Sequence, residues 1–305
     1  MSTPAAHASR PPPAWYRPGT LADALAARAE WGRDLVAMAG CTDLMVGWNA
    51  GARRVPSVLD LSALAELRTI EPGPDAVTIG ATMSCAGIAA HPVIAARLPM
   101  LAASARQTGS VAIQNRATLG GNIMNASPAA DNPPVLLAYG ARLTLASVRG
   151  ARTIGYDAFH AGYKRTLAEA DELLVSITIP FPPPGAIGYY RKVGTRRAQA
   201  ISKIALAALV ETSGAADGAV VRGARFGFAS AGPVPLPAPA LSRALHGMPL
   251  ASIDAGRVAQ ALAADLSPMD DIRSTAAYRR SVAVNLVLAA LQSARREVAQ
   301  AAYTG

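Results

Sequence analysis

The stretch QNRATLGGNIMNASPAAD, at positions 114–131, decides how this sequence is interpreted. It is rich in Gly, Asn, Ser and Thr, although apolar segments flank it on both sides. Glycines let backbone N–H groups approach a ligand closely, and successive N–H groups in such turns form a concave anion site, to which Thr hydroxyls add donors. The segment is therefore a candidate ligand-binding loop, although Gly-Gly-Asn alone is also frequent in ordinary turns.

A second loop of the same chemical kind lies upstream. It comprises Ala39, Gly40, Cys41, Thr42, Asp43 and Leu44, and it follows the short apolar run Leu35–Ala39. Either loop alone is more often an ordinary turn, but two such loops in one domain predict a clasp for the two phosphates of a dinucleotide. The sequence contains no Gly-x-Gly-x-x-Gly after a strand, Walker A loop, Gly-x-Ser-x-Gly elbow or His-Glu-x-x-His, so no catalytic side chain is predicted.

The composition bounds the class of protein. A chain of 305 residues is long enough for two domains, and its hydrophobic content of 51% supplies a core that is poor in aromatic residues. The net charge of +9 invites a nucleic-acid interpretation. The positive charge is nearly all arginine, however, scattered in pairs such as Arg53-Arg54 and Arg295-Arg296, and no run of five like charges occurs. The composition therefore does not support a nucleic-acid-binding protein.

Cysteine usage and apolar runs narrow the class further. Cys41 and Cys85 are too few for a disulfide framework, a structural zinc site or an iron–sulfur cluster, and the histidines are far apart, so no metal site is predicted. Residues 1–13 predict a disordered tail without the apolar region of a secretory signal. The longest apolar stretch, Ser281–Leu291, is interrupted by Asn285 and is too short to span a bilayer. We expect a soluble cytoplasmic protein.

Hydrophobic periodicity and Pro/Gly punctuation predict an α+β chain in two parts. Strands are predicted at Leu35–Ala39, Val55–Leu61, Ala76–Gly80, Arg142–Val148, Glu172–Ile179, Gly188–Val193, Ile201–Glu211 and Val220–Ala229. Helices are predicted after the capping box of Thr20 and Asp23, and at Ile94–Gln107, Pro133–Tyr139, Ala251–Asp265 and Thr275–Glu297. The proline-rich segment Pro180–Gly188 is the clearest linker between the two parts.

The central stretch resembles a known family. Together with Pro134-Val135-Leu136-Leu137, it is similar to the FAD-binding subunit of the molybdenum hydroxylases, the family of xanthine dehydrogenase, carbon monoxide dehydrogenase and bacterial aldehyde or N-heterocycle dehydrogenases. The resemblance extends from about Pro13 to about Ala301. Weaker motifs occur in the family's order: Thr78–Ala81, Lys192 with Arg196-Arg197, Ala231–Pro235, and Asp271-Ile272-Arg273 with Tyr278-Arg279-Arg280.

The resemblance implies a fold that the composition does not. We expect a vanillyl-alcohol-oxidase-type FAD-binding domain at 14–181, with two α+β lobes at about 14–70 and 71–181. A smaller α+β C-terminal domain is expected at 186–301. FAD would lie extended between the lobes, with its pyrophosphate held by the two loops.

The resemblance also implies the residues of the FAD site. Ala39, Gly40, Cys41, Thr42, Asp43 and Leu44 would form the first clasp, and Thr118, Leu119, Gly120, Gly121 and Asn122 the second. Asp131 matches the acidic FAD contact, Leu174 an apolar position beside the flavin, and Lys192 a lysine near the isoalloxazine ring. The sequence departs from the family at Cys41, where many members have Gly, which is tolerated if this residue does not need a positive φ. It departs again at Gln199-Ala200, where some members have an acidic pair.

The function that follows is electron transfer. The resemblance implies an oxidoreductase subunit whose flavin passes electrons from 2Fe–2S centres on a small subunit to a terminal acceptor, while a large subunit carries the molybdopterin cofactor. The assembly would be a heterotrimer, with further dimerisation open. A self-sufficient FAD-dependent oxidoreductase on the same scaffold is the alternative, and a basic nucleic-acid module is a third hypothesis. The organic substrate and the acceptor (NAD, a quinone, oxygen or a carrier protein) stay open, because the substrate site would lie on another chain.

Overall fold

A computed structural model describes residues 14–51, 57–196, 199–214 and 218–304. The predicted tail, residues 1–13, lies outside the described residues. The described chain contains both helices and strands, and the strands form separate sheets, which confirms the α+β class. None of the helices in the described ranges is both long and apolar enough to cross a membrane.

The first lobe is built on a three-stranded parallel sheet. Its strands are β1 (Trp15–Tyr16), β2 (Val36–Met38) and β3 (Val58–Asp60), in the order β1-β3-β2. Helix α1 (Leu21–Trp31) connects β1 to β2, and it begins as the capping box predicts, since the Thr20 side chain accepts a hydrogen bond from the Asp23 N–H. Helix α2 (Leu44–Asn49) follows β2. Strand β2 therefore ends where the first predicted loop begins.

The second lobe is built on a five-stranded antiparallel sheet. Its strands are β4 (Ile70–Pro72), β5 (Ala76–Gly80), β6 (Arg142–Ser147), β7 (Gly150–Gly155) and, in the centre, β10 (Leu173–Pro180), in the order β4-β5-β10-β6-β7. A small hairpin of β8 (His160–Gly162) and β9 (Arg165–Thr166) precedes β10. The helices are α3 (Cys85–Ala90), α4 (Pro92–Arg97), α5 (Pro99–Arg106), α6 (Val111–Gln114), α7 (Leu119–Met124) and α8 (Pro133–Tyr139).

The helix predicted at Ile94–Gln107 is wrong as a single element, because the chain forms α4 and α5 instead. Pro99 lacks an N–H and disfavours helical geometry in the residue before it. Leu98 accordingly lies at φ −133° and ψ 55°, outside the helical region, and Pro99 begins the second helix. The break could be read from the sequence.

The core of the first lobe is completed by a residue from the second lobe's sheet. Leu173, at the start of β10, packs with the buried cluster that includes Leu35, Leu59 and Leu67. Its neighbour Leu174 belongs to the separate core of the second lobe. Strand β10 therefore joins the two lobes, and Ile70, at the predicted boundary between them, is the first residue of β4.

The C-terminal domain pairs one sheet with three helices. Its strands are β11 (Ile187–Val193), β12 (Ile204–Ser213), β13 (Val220–Ala229) and β14 (Leu236–Pro237), all antiparallel. Helices α9 (Pro239–Leu245), α10 (Ala255–Asp265) and α11 (Ala276–Thr304) share a core with one face of this sheet. Helix α10 starts later than the predicted Ala251, because the Asp254 side chain caps it by accepting from the Arg257 N–H.

The other face of this sheet packs directly on the second lobe. A Cβ added at Gly227 of β13 would lie 2.2 Å from the Pro134 carbonyl oxygen of α8, so no side chain fits there. Ala207 and Leu209 of β12 are buried in the same core as Leu136 and Leu137 of α8. Helix α8 is therefore fixed between the two domains.

Candidate functional site

A cleft of about 570 Å³ is lined by residues of both lobes. The first predicted loop contributes all six of its residues, 39–44, and the second contributes Thr118, Gly120, Gly121 and Asn122. Leu174 of β10 also lines the cleft. The volume lies in the range of small-molecule and cofactor sites, about 300–1,000 Å³. The structure therefore brings together most of the residues that the sequence predicts, although they come from distant parts of the chain.

The two loops touch at Gly40. A Cβ added there would lie 1.8 Å from the Arg116 carbonyl oxygen and 3.1 Å from the Ala117 nitrogen, both backbone atoms. Real Cβ contacts are essentially never shorter than 3.0 Å, so any side chain at position 40 would force the loops apart. Glycine is therefore required by close approach, and the contact sets the distance between the two loops.

The second loop is mostly the start of α7. Thr118 caps this helix, its hydroxyl accepting from the Gly121 N–H at 3.0 Å, while the Leu119 and Gly120 N–H groups donate to the carbonyls of Met83 and Ala81 at 3.0 and 2.9 Å. A Cβ at Gly120 would lie 2.6 Å from the Ala81 oxygen. These N–H groups are already bonded within the chain, which differs from the open anion nest expected here. The glycines instead allow α7 to pack tightly against the end of β5.

The first loop keeps its N–H groups free. Among the described residues, none accepts a hydrogen bond from the backbone N–H groups of 40–44, whereas the Cys41 and Asp43 carbonyls accept from Met45 and Gly47 at 3.0 and 3.3 Å. Consecutive free N–H groups that line a cleft favour an anion. Of the two loops, the first therefore has the stronger capacity for phosphate.

Cys41 does adopt a positive φ, although the sequence predicts that a non-glycine residue is tolerated here only without one. This residue has φ +63°, in the left-handed region that glycine adopts freely and other residues adopt at a cost of about 1–2 kcal/mol. Cys41 is only partly exposed, and burial raises the pKa of its thiol. The Cys41 backbone thus adopts a conformation suited to glycine, and its thiol is protonated at neutral pH.

Cationic side chains surround the cleft. Arg28, Arg33 and Lys164 line it, together with the carboxylates of Asp43 and Glu172. Arg28 is buried and donates to the Leu35 carbonyl at 2.8 Å, and burial, followed by the nearby Arg33 charge, lowers its pKa. Glu172 is neutralised by Arg152 at 2.5 Å, so it adds little negative charge to the cleft. The balance of charge favours an anionic ligand.

Three predicted residues do not line the cleft. Leu119 is fully buried in the core of the second lobe, while Asp131 and Lys192 form an ion pair at 2.7 Å with both side chains buried. Lys192 also donates to the Gln107 carbonyl at 3.0 Å, and Ser202 donates to Asp131 at 2.9 Å. Burial raises the pKa of Asp131, and Lys192 and Ser202 offset this in part. The pair joins the second lobe to β11 of the C-terminal domain.

A buried asparagine next to Asp131 in the chain contacts the cleft lining. Asn132 is 1% exposed and its amide donates to the Asn122 side-chain oxygen at 3.2 Å and to the Thr108 hydroxyl at 3.3 Å. Its own oxygen accepts from Ser104 at 2.8 Å. Asn122 and Thr108 both line the cleft. Sequence reasoning missed Asn132, Thr108 and Arg28, and only the position of Asn132 next to Asp131 hinted at a role.

Metal and thiol chemistry have little support in this site. Across the described ranges, no three His, Cys, Asp or Glu side chains are grouped so that they could hold a metal ion. Burial raises the pKa of Cys85 to about 11, so this thiol stays protonated and acts as a packing group.

The fold and the cleft define a class of protein, a two-lobed α+β cofactor-binding domain followed by a sheet-and-helix domain. Residues 7–182 match the FAD binding domain in molybdopterin dehydrogenase, and residues 189–294 match the CO dehydrogenase flavoprotein C-terminal domain. The chain therefore belongs to the family of FAD-binding subunits of molybdenum hydroxylases, which are oxidoreductase subunits, and it carries their FAD-binding domain.

Individual relatives are similar to this protein over most of its length. The carbon monoxide dehydrogenase medium chain of Hydrogenophaga pseudoflava is 27% identical over 280 residues, 92% of this chain and 96% of the relative. A xanthine dehydrogenase FAD-binding subunit of Escherichia coli is 29% identical over 267 residues, 87% of this chain and 90% of the relative. The structure of the Hydrogenophaga enzyme superposes with a TM-score of 0.88 at 28% identity, covering 95% of this chain and 99% of that one.

Proposed function

We propose that this chain is the FAD-binding, electron-transferring subunit of a molybdenum-containing hydroxylase or dehydrogenase. The observation that carries the proposal is the first loop, whose residues line a cationic cleft completed by the second lobe and whose N–H groups at 40–44 donate to no backbone carbonyl of the described residues. A dinucleotide pyrophosphate carries two negative charges, and this combination of donors and arginines fits it. We also propose, as the sequence does, that the FAD-binding domain spans 14–181 and the C-terminal domain 186–301.

The chain's own residues would bind and orient the cofactor. Residues Ala39, Gly40, Cys41, Thr42, Asp43 and Leu44 would hold the pyrophosphate through backbone N–H groups, while Thr118, Gly120, Gly121 and Asn122 form the opposite wall. Leu174 offers an apolar surface, and Leu119 supports the wall from the core. The Asp131–Lys192 pair would fix the segment next to Asn132, whose amide donates to Asn122 in the cleft.

The chemistry requires no acid, base or nucleophile from this chain. FAD supplies one- and two-electron redox chemistry when bound, and the protein contributes position and electrostatics. The cleft arginines and Lys164 place positive charge around the site. This charge favours binding of the anionic cofactor and of a partner with an acidic surface. This fits a subunit that relays electrons and leaves substrate chemistry to a partner.

The partners follow from the relatives and from the cysteine count. One relative is named a medium chain, and others are named FAD-binding subunits, so the assembly contains other chains. Two cysteines cannot ligate a 2Fe–2S cluster, which needs four protein ligands. We therefore assign the 2Fe–2S centres to a small subunit and the molybdopterin cofactor to a large one, in a cytoplasmic heterotrimer.

Titration of the purified chain with FAD tests the binding step. We expect saturable 1:1 uptake, flavin absorbance in the isolated protein, and a higher unfolding temperature with FAD bound, because a ligand that binds only the folded state stabilises it. Absence of FAD uptake by folded protein would refute the proposal.

Isolation from the native host tests the assembly. We expect the chain to co-purify with a molybdenum-containing subunit and an iron–sulfur subunit in equal amounts. A flavoprotein that is isolated alone and oxidises a substrate without partners would instead establish the self-sufficient oxidoreductase. In both cases flavin reduction by dithionite is the control that the bound cofactor is competent.

A further inference from the structure

A second cavity, of about 500 Å³, lies at the junction of the two domains. The second lobe contributes the end of α8, the start of β6 and the turn after β7, and the C-terminal domain contributes β13 and the β14–α9 segment. It shares no lining residue with the FAD cleft. Its volume lies in the range of small-molecule sites.

Three arginines line this cavity against one carboxylate. They are Arg142 of β6, Arg225 of β13 and Arg243 of α9, and the acidic group is Asp157. Within the described ranges, Arg142 and Arg243 make no ion pair and their guanidinium groups donate no hydrogen bond. All three arginines are exposed, and guanidinium groups that line one concave surface with a single carboxylate give it a positive potential that attracts an anion.

Arg225 has a structural role that uses only some of its hydrogen-bond donors. One of its terminal nitrogens lies 3.4 Å from the Tyr139 carbonyl, at the end of α8, and 2.7 Å from the position of a Cβ built on Gly140. It therefore caps the helix at its negative end. A guanidinium group carries five N–H donors, so most of them stay available to a ligand. The cap holds Arg225 at the edge of the cavity.

The lining is not purely polar. Pro237 and Pro239 contribute apolar surface beside the arginines, and the buried side chains of Leu136 and Leu137 also line the cavity. The packing beside it is tight, because Gly227 of β13 admits no side chain against α8. A preformed cavity with an apolar wall and a few convergent charged groups is the common form of a small-molecule site. Guanidinium groups match phosphate oxygens in geometry and charge.

We propose that this interdomain cavity binds a phosphorylated small molecule, with its phosphate held by Arg142, Arg225 and Arg243 and its remainder against the apolar wall. The site is separate from the FAD cleft, so FAD and this ligand would bind together. The proposal does not depend on the redox function assigned above.

Calorimetric titration of the full chain, saturated with FAD, tests the site at low ionic strength. The probes are inorganic phosphate, AMP and glucose 6-phosphate, with adenosine and glucose as uncharged counterparts. We expect saturable 1:1 binding of at least one phosphorylated probe, about tenfold or more tighter than its uncharged counterpart, because hydrogen bonds to charged groups carry the affinity.

The variants are Arg142→Gln, Arg243→Gln and the two combined, with Arg257→Gln on α10 as the control for each single variant and Arg257→Gln with Arg280→Gln as the control for the combined one, both outside the two cavities. We expect the combined variant to weaken phosphate binding about tenfold or more, with both control variants unchanged. The proposal is overturned if no phosphorylated probe saturates, if an uncharged counterpart binds as tightly, or if the combined variant binds like the native chain. Flavin absorbance in the same samples reports FAD binding separately, so either conclusion can fail alone.

Discussion

Substitution of Gly40 by Ala tests the contact that sets the geometry of the FAD cleft. The new Cβ would lie 1.8 Å from the Arg116 carbonyl oxygen, and real Cβ contacts are essentially never below 3.0 Å. The two loops must therefore separate by at least about 1.2 Å. The obstacle is backbone, so no side chain can rotate away.

The expected cost has two parts. Forcing an extra methyl group into a packed contact costs about 1–3 kcal/mol of folding free energy. A displacement of this size also misaligns the N–H groups of the first loop, and losing two charge-assisted hydrogen bonds of about 1.5–3 kcal/mol each weakens FAD binding by more than about 100-fold.

Thermal unfolding without FAD and calorimetric FAD titration measure the two parts separately. The matched control is Gly256→Ala in α10, where the new Cβ would meet nothing closer than 3.4 Å and stability should hold or rise slightly. If Gly40→Ala binds FAD within about twofold of the native affinity and unfolds at the native temperature, the loops do not meet as described.

Three further predictions concern single residues. Cys41→Gly should keep FAD affinity, because glycine adopts φ +63° freely, whereas Cys41→Val should weaken it in the same titration, because a β-branched residue resists that conformation. Lys192→Met should destabilise the fold by about 3–5 kcal/mol at neutral pH by leaving Asp131 buried without its partner, and urea unfolding should show a smaller loss in acid, where Asp131 binds a proton. Arg279 holds the pKa of Asp271 down to about 2, so the stability that Asp271 contributes is present above its unfolded pKa near 4 and is lost as the pH falls towards 2. Unfolding of Asp271→Asn should lack that part of the acid dependence, and an unchanged acid limb would contradict the assignment.

Local signals in the sequence were sufficient for some elements. Ala76–Gly80, Pro133–Tyr139 and Val220–Ala229 have the predicted bounds. The helix at 133–139 begins with two prolines and ends at Gly140 in the left-handed region, so both ends are encoded by residues with restricted or permissive backbones. Where caps and periodicity agree, local chemistry determines the element.

Helix α7 shows where such signals fail. Its sequence, Leu119–Met124, contains two adjacent glycines and reads as a loop, since glycine is a poor helix former. The structure makes it a helix because Thr118 caps it and Gly120 packs against the Ala81 carbonyl. Both causes are contacts, and one of them is with a residue about forty positions away. Helix propensity does not take such contacts into account.

The sequence predicts which motifs belong to the site but not how their residues are arranged in space. The resemblance named Asp131 and Lys192, yet no periodicity relates two residues 61 positions apart, and their ion pair emerged only in the folded chain. Arg28, on α1, carries no motif and reaches the cleft because its guanidinium group donates to the Gly32 and Leu35 carbonyls, just before β2. Such long-range neighbours are set by tertiary packing.

The contribution of Leu173 to the first lobe has a consequence for biosynthesis. The residues of the three-stranded sheet are synthesised early, but the core that covers this sheet includes Leu173, which lies more than one hundred positions after the last strand of the sheet. Until Leu173 leaves the exit tunnel, the nascent lobe exposes part of its apolar face, a state that is prone to aggregation. Synthesis therefore passes through an interval in which chaperone protection of the N-terminal third matters most.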